Sequence, residues 1–219
     1  MTTVVLASAS PARLATLRGA GIDPEVQVSH VDEEQLEHDH PHLTPQDLAQ
    51  MLAQAKCEEV ARTRTETDQI IIGCDSVFEL NGKPFGKPET PDVARERWAL
   101  MMNNTGTLHT GHHLIYVDPE GQRQATSAIA STDVTIGALS EKEMDAYLAT
   151  GEPLHVAGGF TLDSLGGAFV QEVKGDPSNV IGISLPTLRR SVNECGLTWT
   201  DLWSQSAKQT QPLGSSDIA

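Results

Sequence analysis

The sequence contains little positive charge and few aromatic residues. It has 15 lysine and arginine residues against 30 aspartate and glutamate residues, a formal net charge of -15, and aromatic residues make up 4% of the chain. A field of this sign repels DNA and RNA, and no basic patch or RNA-binding aromatic motif offsets it. We therefore do not expect a nucleic acid polymer as a partner. A small anion can still bind where the few cations are concentrated at one place.

Long apolar runs and paired cysteines are also missing. No stretch approaches the roughly 20 apolar residues that span a bilayer, and the first residues lack the positive charge that opens a secretory signal. We therefore expect a cytoplasmic protein without a membrane partner. The three cysteines, Cys57, Cys74 and Cys195, are odd in number and widely spaced, unlike a disulfide framework or a zinc site. We interpret them as buried free thiols.

The chain has the length and composition of a globular protein. Its 219 residues are 38% hydrophobic, which is enough for a substantial core. Strand and helix signals alternate over the first hundred residues and hairpin signals dominate the middle, so we predict an α/β or α+β protein around a mixed sheet, with a cleft between two lobes. We predict one domain over residues 1–203 and a polar, flexible tail over residues 204–219.

Turn and capping residues indicate the individual elements. Most predicted helices start at a proline or a capping residue, and together they cover residues 11–20, 44–62, 90–103, 140–151 and 184–195. The apolar run "QIIIGC" predicts a central strand, and Asn81-Gly82 predicts a two-residue hairpin after it. The alternating segment "EVQVSHV" predicts another strand. The polar segment "DEEQLEHDHPH" predicts a surface loop.

Arg13 lies where the sequence predicts the first turn of a helix. That end of a helix carries positive partial charge, and it disfavours a cation by about 0.3 to 1 kcal/mol unless an anion lies against it. A phosphate at this place would meet the arginine, the helix dipole and the backbone N–H groups that follow Ser8. The alternative is that Arg13 points to solvent.

Two lysines and one aspartate form a second group of candidates. Lys56 falls within the apolar arc of its predicted helix, where it either extends along the surface to solvent or points into a cleft. Asp75 comes directly after a buried strand, the place where α/β proteins bind ligands, and a buried carboxylate there needs a cation, a metal or water. Lys87 follows the hairpin turn, which directs it back towards Asp75. An ordinary hairpin with a salt bridge is the alternative.

Acidic and histidine residues cluster after the second predicted strand. A charge run is typical of a solvated face, but one carboxylate of this run, Glu33, can join Asp75 in holding a hard divalent cation. We interpret the histidine-rich segment 38–42 as surface decoration rather than as a transition-metal site. The three histidines of "TLHTGHHLIYV" fall on both faces of a predicted strand, so they cannot all line one site.

Five short motifs occur in an order and at a spacing that resemble a known family. "LASASPAR", "GCDSV", "GKP", "TGEPLHVAG" and "KGDPSNVIGISLP" resemble the Maf family of nucleoside triphosphate pyrophosphatases over about residues 4–198. The resemblance implies a two-lobed α/β body around an elongated mixed sheet with a central cleft, similar to inosine triphosphate pyrophosphatases, and a homodimer. It also implies metal-dependent hydrolysis of nucleoside triphosphates, including modified ones, to monophosphate and pyrophosphate, as nucleotide house-cleaning.

The resemblance implies roles for the residues discussed above. Asp75 matches the catalytic aspartate of the family, and Glu33 and Asp75 would hold Mg²⁺ or Mn²⁺. The positions that match phosphate-binding residues are Ser8, Arg13, Lys56 and Lys87.

Three positions depart from the best-known pattern of the family. Ala12 replaces an arginine, Ser76 replaces a threonine, and Asp163 stands near the place of a glutamine. In the branch that prefers dTTP and UTP these positions contribute to the choice of base. The resemblance therefore implies that they are specificity residues here, and it does not name the preferred base.

Two other functions use the same residues. One is a non-catalytic, nucleotide-binding regulatory protein linked to cell division or stress, and the other is a phosphatase that removes the terminal phosphate. Pure binding does not require a carboxylate that activates water, so Asp75 and Glu33 favour an enzyme. The products separate the three functions, because they are pyrophosphate, orthophosphate or none.

Overall fold

A computed structural model describes residues 2–209 of the chain. These residues form one mixed sheet whose strand order is β2-β1-β3-β5-β6-β7, with β4 paired to β3. The strands are β1 Thr3–Leu6, β2 Glu25–Val26, β3 Gln69–Leu80, β4 Lys83–Phe85, β5 Thr105–Val117, β6 Arg123–Ile136 and β7 Val170–Lys174. The α-helices are α1 Pro11–Gly19, α2 Glu33–Asp39, α3 Pro45–Thr63, α4 Pro91–Met101, α5 Glu141–Ala149, α6 Pro177–Ile181, α7 Leu185–Glu194 and α8 Gln205–Gln209.

The long strands β3, β5 and β6 form the centre of the sheet. β1 pairs with β3 and β2 in parallel, and every pair from β3 to β7 is antiparallel. Two glycines let α3 approach this sheet closely. A side chain at Gly73 would collide with the backbone of Ala53, and one at Gly111 would collide with the backbone of Ala49. The predicted α/β class with a mixed sheet is confirmed.

Buried hydrophobic side chains of the described residues form three cores, and two of them lie towards opposite ends of β3. One contains buried Leu6, Leu17, Ile72 and Leu188 from β1, α1, β3 and α7. The other is rich in aromatic side chains, in which the rings of Trp98 and Tyr147 meet edge to face at 5.5 Å.

Local sequence signals account for most of the helices. Ser10, Thr44, Thr90 and Ser184 each cap a helix with their side-chain oxygen, and a proline follows each cap in the first turn. The capping box at Ser140 is present in full. The predicted hairpin at Asn81-Gly82 is confirmed, since Leu80 and Lys83 pair across it. All three cysteines are buried and free, as predicted.

Two local predictions are wrong. Residues 33–39 form helix α2, capped by Asp32, where a loop was predicted. None of the α2 residues is buried, so no apolar periodicity marks this helix in the sequence. The predicted strand "EVQVSHV" is reduced to the two residues of β2. Its alternating Val26 and Val28 are 47% and 44% exposed, and β2 lies at the edge of the sheet.

The end of the described chain packs against the first core. Ser204 donates a backbone hydrogen bond to the carbonyl of Gly21, and residues 205–209 form α8. The remainder of the predicted tail, residues 210–219, lies outside the described residues. Within residues 2–209, no helix combines the length and the apolar character that crossing a bilayer requires.

Candidate functional site

A cleft of about 430 Å³ opens beside β3. The polar part of its lining comes from the loops after β1 and β4 and from α1, α2, α3 and β3, and the rest comes from residues 155–157, 160–163 and 180–182 together with Leu108. All nine site residues predicted from the sequence line this cleft: Ser8, Ala12, Arg13, Glu33, Lys56, Asp75, Ser76, Lys87 and Asp163.

Asp75 lies in the middle of β3, not past its end as the sequence predicted. β3 continues to Leu80 because its antiparallel partner β5 pairs with it along its whole length. Its parallel partner β1, however, ends at Leu6, which is opposite Ile72. Asp75 therefore lies beyond the carboxyl end of β1, and the gap left by that strand opens the cleft beside it.

Lys56 joins the two predicted metal-binding carboxylates. Its Nζ lies 2.6 Å from Oδ1 of Asp75 and 2.8 Å from a carboxylate oxygen of Glu33. Lys56 is 7% exposed and Asp75 is 8% exposed, whereas the side chain of Glu33 is 41% exposed. Lys56 therefore points into the cleft rather than to solvent, and it places one positive charge between two negative ones.

Arg13 is buried and holds three parts of the chain together. Its Nε donates to the carbonyl of Gly182 at 2.7 Å, and Nη1 donates to the carbonyl of Cys74 at 2.9 Å and to Ser8 Oγ at 3.0 Å. Nη2 donates to Ser76 Oγ at 3.1 Å. These four bonds occupy four of the five N–H groups of a guanidinium. The suggestion that Arg13 points to solvent is wrong, and at most one N–H group is left for a ligand.

The remaining polar residues at this end are held less tightly. Ser8 Oγ accepts from the backbone N–H of Ser10 as well as from Arg13, so the turn before α1 is closed on itself. Lys87 is exposed, and no hydrogen bond or ion pair of its side chain occurs within the described residues. The preceding carbonyl, that of Gly86, accepts a bond from Arg97 of α4. Lys87 therefore reaches the cleft from a backbone that α4 fixes.

The rest of the cleft lining is largely apolar, with His155, Thr161 and one carboxylate, that of Asp163. Phe160 is 4% exposed and packs edge to face on Phe78, while Asp163 is exposed at the rim. Trp98 Nε1 donates to the carbonyl of Gly159 at 2.8 Å, which ties this wall to α4. The segment after Phe160 is held by Glu152, whose carboxylate accepts bonds from Thr161, Ser164 and other donors.

Two pKa shifts describe the electrostatics around the site. Partial burial raises the pKa of Glu37, and the negative charges of Asp75 and Glu33 raise it further. Negative charge therefore accumulates beside α2, where a bound cation is favoured. Burial and, after it, the charge of Arg13 lower the pKa of His112 to about 4. His112 Nε2 accepts the backbone N–H of Ser184 at 2.9 Å, as a neutral imidazole can.

The donor set fits a hard divalent cation that is shared with a substrate. Mg²⁺ binds oxygen and usually takes one or two carboxylates together with substrate phosphates and water. Asp75 and Glu33 offer two carboxylates, and both contact Lys56. No group of three or more His, Cys, Asp or Glu residues that could hold a metal occurs among residues 2–209. A site that needs a phosphate ligand to be complete is consistent with this set.

Sequence reasoning missed the residues that shape the cleft without lining its polar end. Glu152, Arg97 and Trp98 act on backbone groups far away in the chain, and Gly182 contributes only its carbonyl. The motif "TGEPLHVAG" contains Glu152, so its position was visible in the sequence but its partners were not. The three histidines of β5 lie on both faces of the strand, as predicted. His109 and His113 bond to Ser131 and Ser127 of β6, while His112 bonds to the backbone N–H of Ser184 at the start of α7.

Comparison with known proteins gives consistent similarities. The family model described as Maf-like protein matches residues 3–195. A nucleoside triphosphate pyrophosphatase of Leifsonia xyli subsp. xyli is 46% identical over 92% of this chain and 96% of that protein. Another of the same name from Streptomyces avermitilis is 49% identical over 94% of this chain and 96% of that protein. Among solved structures, a Staphylococcus aureus Ham1 protein aligns with a TM-score of 0.36 and 16% identity over 64% of this chain and 76% of that chain, a likeness that carries no argument.

Proposed function

The chain belongs to the Maf family, and we propose that it is a nucleoside triphosphate pyrophosphatase that requires a divalent metal ion. In this reaction the oxygen of a water molecule bonds to the α-phosphorus, and the bond from the α-phosphorus to the oxygen that bridges the α- and β-phosphates breaks. Nucleoside monophosphate and pyrophosphate are released. The relatives that match over most of the chain are named for this activity. It makes the protein a hydrolase that acts on phosphoric anhydrides.

The observation that carries this proposal is the contact of Lys56 with both Asp75 and Glu33 inside one cleft. A carboxylate that only stabilised the fold would need no opening to a cavity. Here the two carboxylates and the ammonium group line the same space as Ser8 and Arg13. A triphosphate in this space would meet cations, hydroxyls and, through a metal, the carboxylates, within a distance at which charges interact strongly.

Each residue then has a defined task. Asp75 takes a proton from the attacking water. Its buried position on β3 and its bond from Lys56 of α3 keep its carboxylate in one place. Lys56 and Lys87 bind phosphate oxygens, and Ser8 with the backbone N–H groups before α1 completes the contacts. Arg13 supplies one remaining N–H group, and its four other bonds keep the loops around the phosphates fixed.

Glu33 and Asp75 are the residues that would hold the metal ion, Mg²⁺ or Mn²⁺. When bound, such an ion supplies positive charge for the phosphate oxygens and the leaving pyrophosphate. Lys56 already lies against both carboxylates, so it also offsets their charge before a nucleotide arrives.

Other parts of the proposal rest on family resemblance. They are modified or non-standard nucleotides as preferred substrates, a house-cleaning role and a homodimer. A cytoplasmic location, by contrast, is proposed from the sequence alone. Ala12, Ser76 and Asp163 all line the cleft, which is consistent with a role in selecting the base. The oligomeric state can be measured by light scattering on the purified full chain.

One assay tests the proposed reaction. The full chain is incubated with a panel of standard and modified nucleoside triphosphates, with Mg²⁺, with Mn²⁺ and with EDTA, and the products are separated by anion exchange. We expect equal amounts of nucleoside monophosphate and pyrophosphate, and none of either in EDTA. Orthophosphate as the first product would indicate a terminal phosphatase. Tight nucleotide binding without product would indicate a regulatory protein.

A further inference from the structure

One carboxylate, that of Glu152, accepts five hydrogen bonds. Oε1 accepts from Tyr147 Oη at 3.1 Å, from the backbone N–H of Gly166 at 2.9 Å and from the hydroxyl of Thr161. Oε2 accepts from Ser164 Oγ at 2.8 Å and from the backbone N–H of Leu165 at 3.3 Å. Four of these donors belong to residues 161–166, so one side chain determines the path of that short segment.

The segment held by Glu152 is a wall of the cleft. Thr161, Leu162 and Asp163 line the same cleft as Lys56 and Asp75. Glu152 does not line the cleft and cannot touch a ligand there. Its Oε1 instead binds Thr161 and Gly166, on either side of the four residues between them.

Close packing makes this path sensitive to its anchor. A side chain at Gly166 would collide with Tyr147 Oη and the backbone of Thr161. One at Gly167 would collide with the carbonyl of Leu162. The segment is therefore closely packed at Gly166 and Gly167, whereas Asp163, Ser164 and Leu165 between these contacts are exposed, so a loss of the anchor displaces Asp163 and its neighbours.

We infer that Glu152 is a positioning residue for nucleoside selection: it holds residues 161–166 in the shape that contacts the nucleoside, while the phosphate chemistry proceeds at the other end of the cleft. This inference rests on the proposed function, because it assumes that the nucleoside occupies the end formed by residues 155–163. It adds to that function a residue that acts on substrate choice without contacting the substrate.

The charge of Glu152 is matched to this task. Burial alone raises the pKa of its carboxyl, but the bonds from Thr161, Gly166, Ser164 and Leu165 outweigh burial and lower the pKa to about 2. The side chain is therefore an acceptor at both oxygens under all ordinary conditions. Glutamine has the same shape but only one acceptor oxygen, so its NH₂ group would face donors it cannot bind.

Glu152→Gln is the variant that tests the inference, and Glu143→Gln is its matched control. Glu143 is also a carboxylate that accepts local hydrogen bonds, from the backbone and hydroxyl of Ser140, but it lies at the start of α5 and does not line the cleft. Both variants are made in the full chain. Hydrogen exchange of the Leu165 and Gly166 amides reports directly on the segment, whatever the activity of the protein.

In Glu152→Gln we expect the Leu165 and Gly166 amides to exchange at least about tenfold faster, because a donor loses its acceptor. KM for the preferred nucleoside triphosphate should rise about tenfold and kcat should stay within about twofold, the pattern for lost ground-state contacts. The preference among bases should shrink by a similar factor. Glu143→Gln should keep the wild-type KM, preference and exchange. A purely structural role of Glu152 would lower the active fraction without changing KM or preference.

The inference is overturned if the preference and KM of Glu152→Gln equal those of the wild type, or if the two amides stay protected. Failure of the proposed function is distinguishable, because the wild type would then release no pyrophosphate. In that case dissociation constants test the inference. Glu152→Gln should weaken the binding of nucleoside triphosphates and leave the binding of inorganic tripolyphosphate unchanged. If Glu152→Gln does not fold, Ser164→Ala removes one of the five donors and should move KM and preference in the same direction by a smaller factor. An unchanged Ser164→Ala would then count against the inference.

Discussion

Lys56 Nζ lies 2.6 Å from Oδ1 of Asp75, and both residues are buried. The two residues come from α3 and β3, which Gly73 allows to approach closely. A second carboxylate, Glu33, contacts the same ammonium group. Removal of Lys56 would leave two carboxylates facing each other with no cation between them.

We therefore expect Lys56→Gln to lower the free energy of unfolding by about 3 kcal/mol in EDTA, since an uncompensated buried charge is strongly destabilising. Excess Mg²⁺ or Mn²⁺ should restore part of the loss, because a divalent cation can take over the charge. Urea denaturation measures both effects. The control is Arg62→Gln on the same helix, whose exposed pair with Glu58 contributes little. A Lys56→Gln variant as stable as the wild type in EDTA would contradict the electrostatic account of the site.

Arg13 should tolerate no cationic substitute. Lysine at this position cannot reproduce four bonds in a planar fork, and it leaves the carbonyls of Cys74 and Gly182 without their donor. We expect Arg13→Lys to cost about 2 to 4 kcal/mol of unfolding free energy by chemical denaturation. Arg18→Lys is the matched change on the same helix, at an exposed residue paired with Asp23. Equal stabilities for the two variants would show that the Arg13 contacts are not strong.

The lowered pKa of His112 implies that the stability of the protein depends on pH. Its pKa is lowered from 6.5 to about 4, first by burial and then by the charge of Arg13, so the folded protein holds this imidazole neutral. The unfolded chain binds the proton first, and the stabilising contribution, complete above pH 6.5, is lost as the pH falls towards 4. The shift corresponds to about 3 kcal/mol.

Urea denaturation between pH 7 and 4 measures this slope. His112→Gln should flatten it, and His30→Gln, at an exposed position, should keep it. An unchanged slope in His112→Gln would mean that other groups account for the acid sensitivity.

Local sequence determined the parts of the fold that depend on neighbouring residues. The caps at Thr44 and Ser140 and the Asn81-Gly82 turn act within four positions, so the helices and the hairpin were predictable. Helix α2 was not, because it buries no residue and has no apolar period. Their charge and their positions in the predicted elements indicate Arg13, Lys56 and Asp75 as candidates, and all three line one cleft.

The bonds of these residues could not be read from the sequence. Arg13 binds the carbonyl of Gly182, which is 169 positions away, and a backbone carbonyl leaves no mark on residue type. The apolar run stops at Cys74, so the sequence predicts that the strand ends before Asp75. Backbone pairing with β5 continues β3 beyond this run. The contacts of Glu152 are equally invisible in the sequence, since two of its five donors are backbone N–H groups.

The central claim is that Asp75 accepts a proton in the reaction at the α-phosphorus. The most direct measurement compares kcat and the dissociation constant of the preferred nucleoside triphosphate in Asp75→Asn and in Glu79→Gln, a carboxylate on the same strand that pairs with His109 instead. We predict that Asp75→Asn lowers kcat by a factor of about 10² to 10⁴, as expected for lost general base catalysis, with nucleotide binding largely retained, and that Glu79→Gln keeps the wild-type kcat. A kcat near the wild-type value in Asp75→Asn would contradict the account.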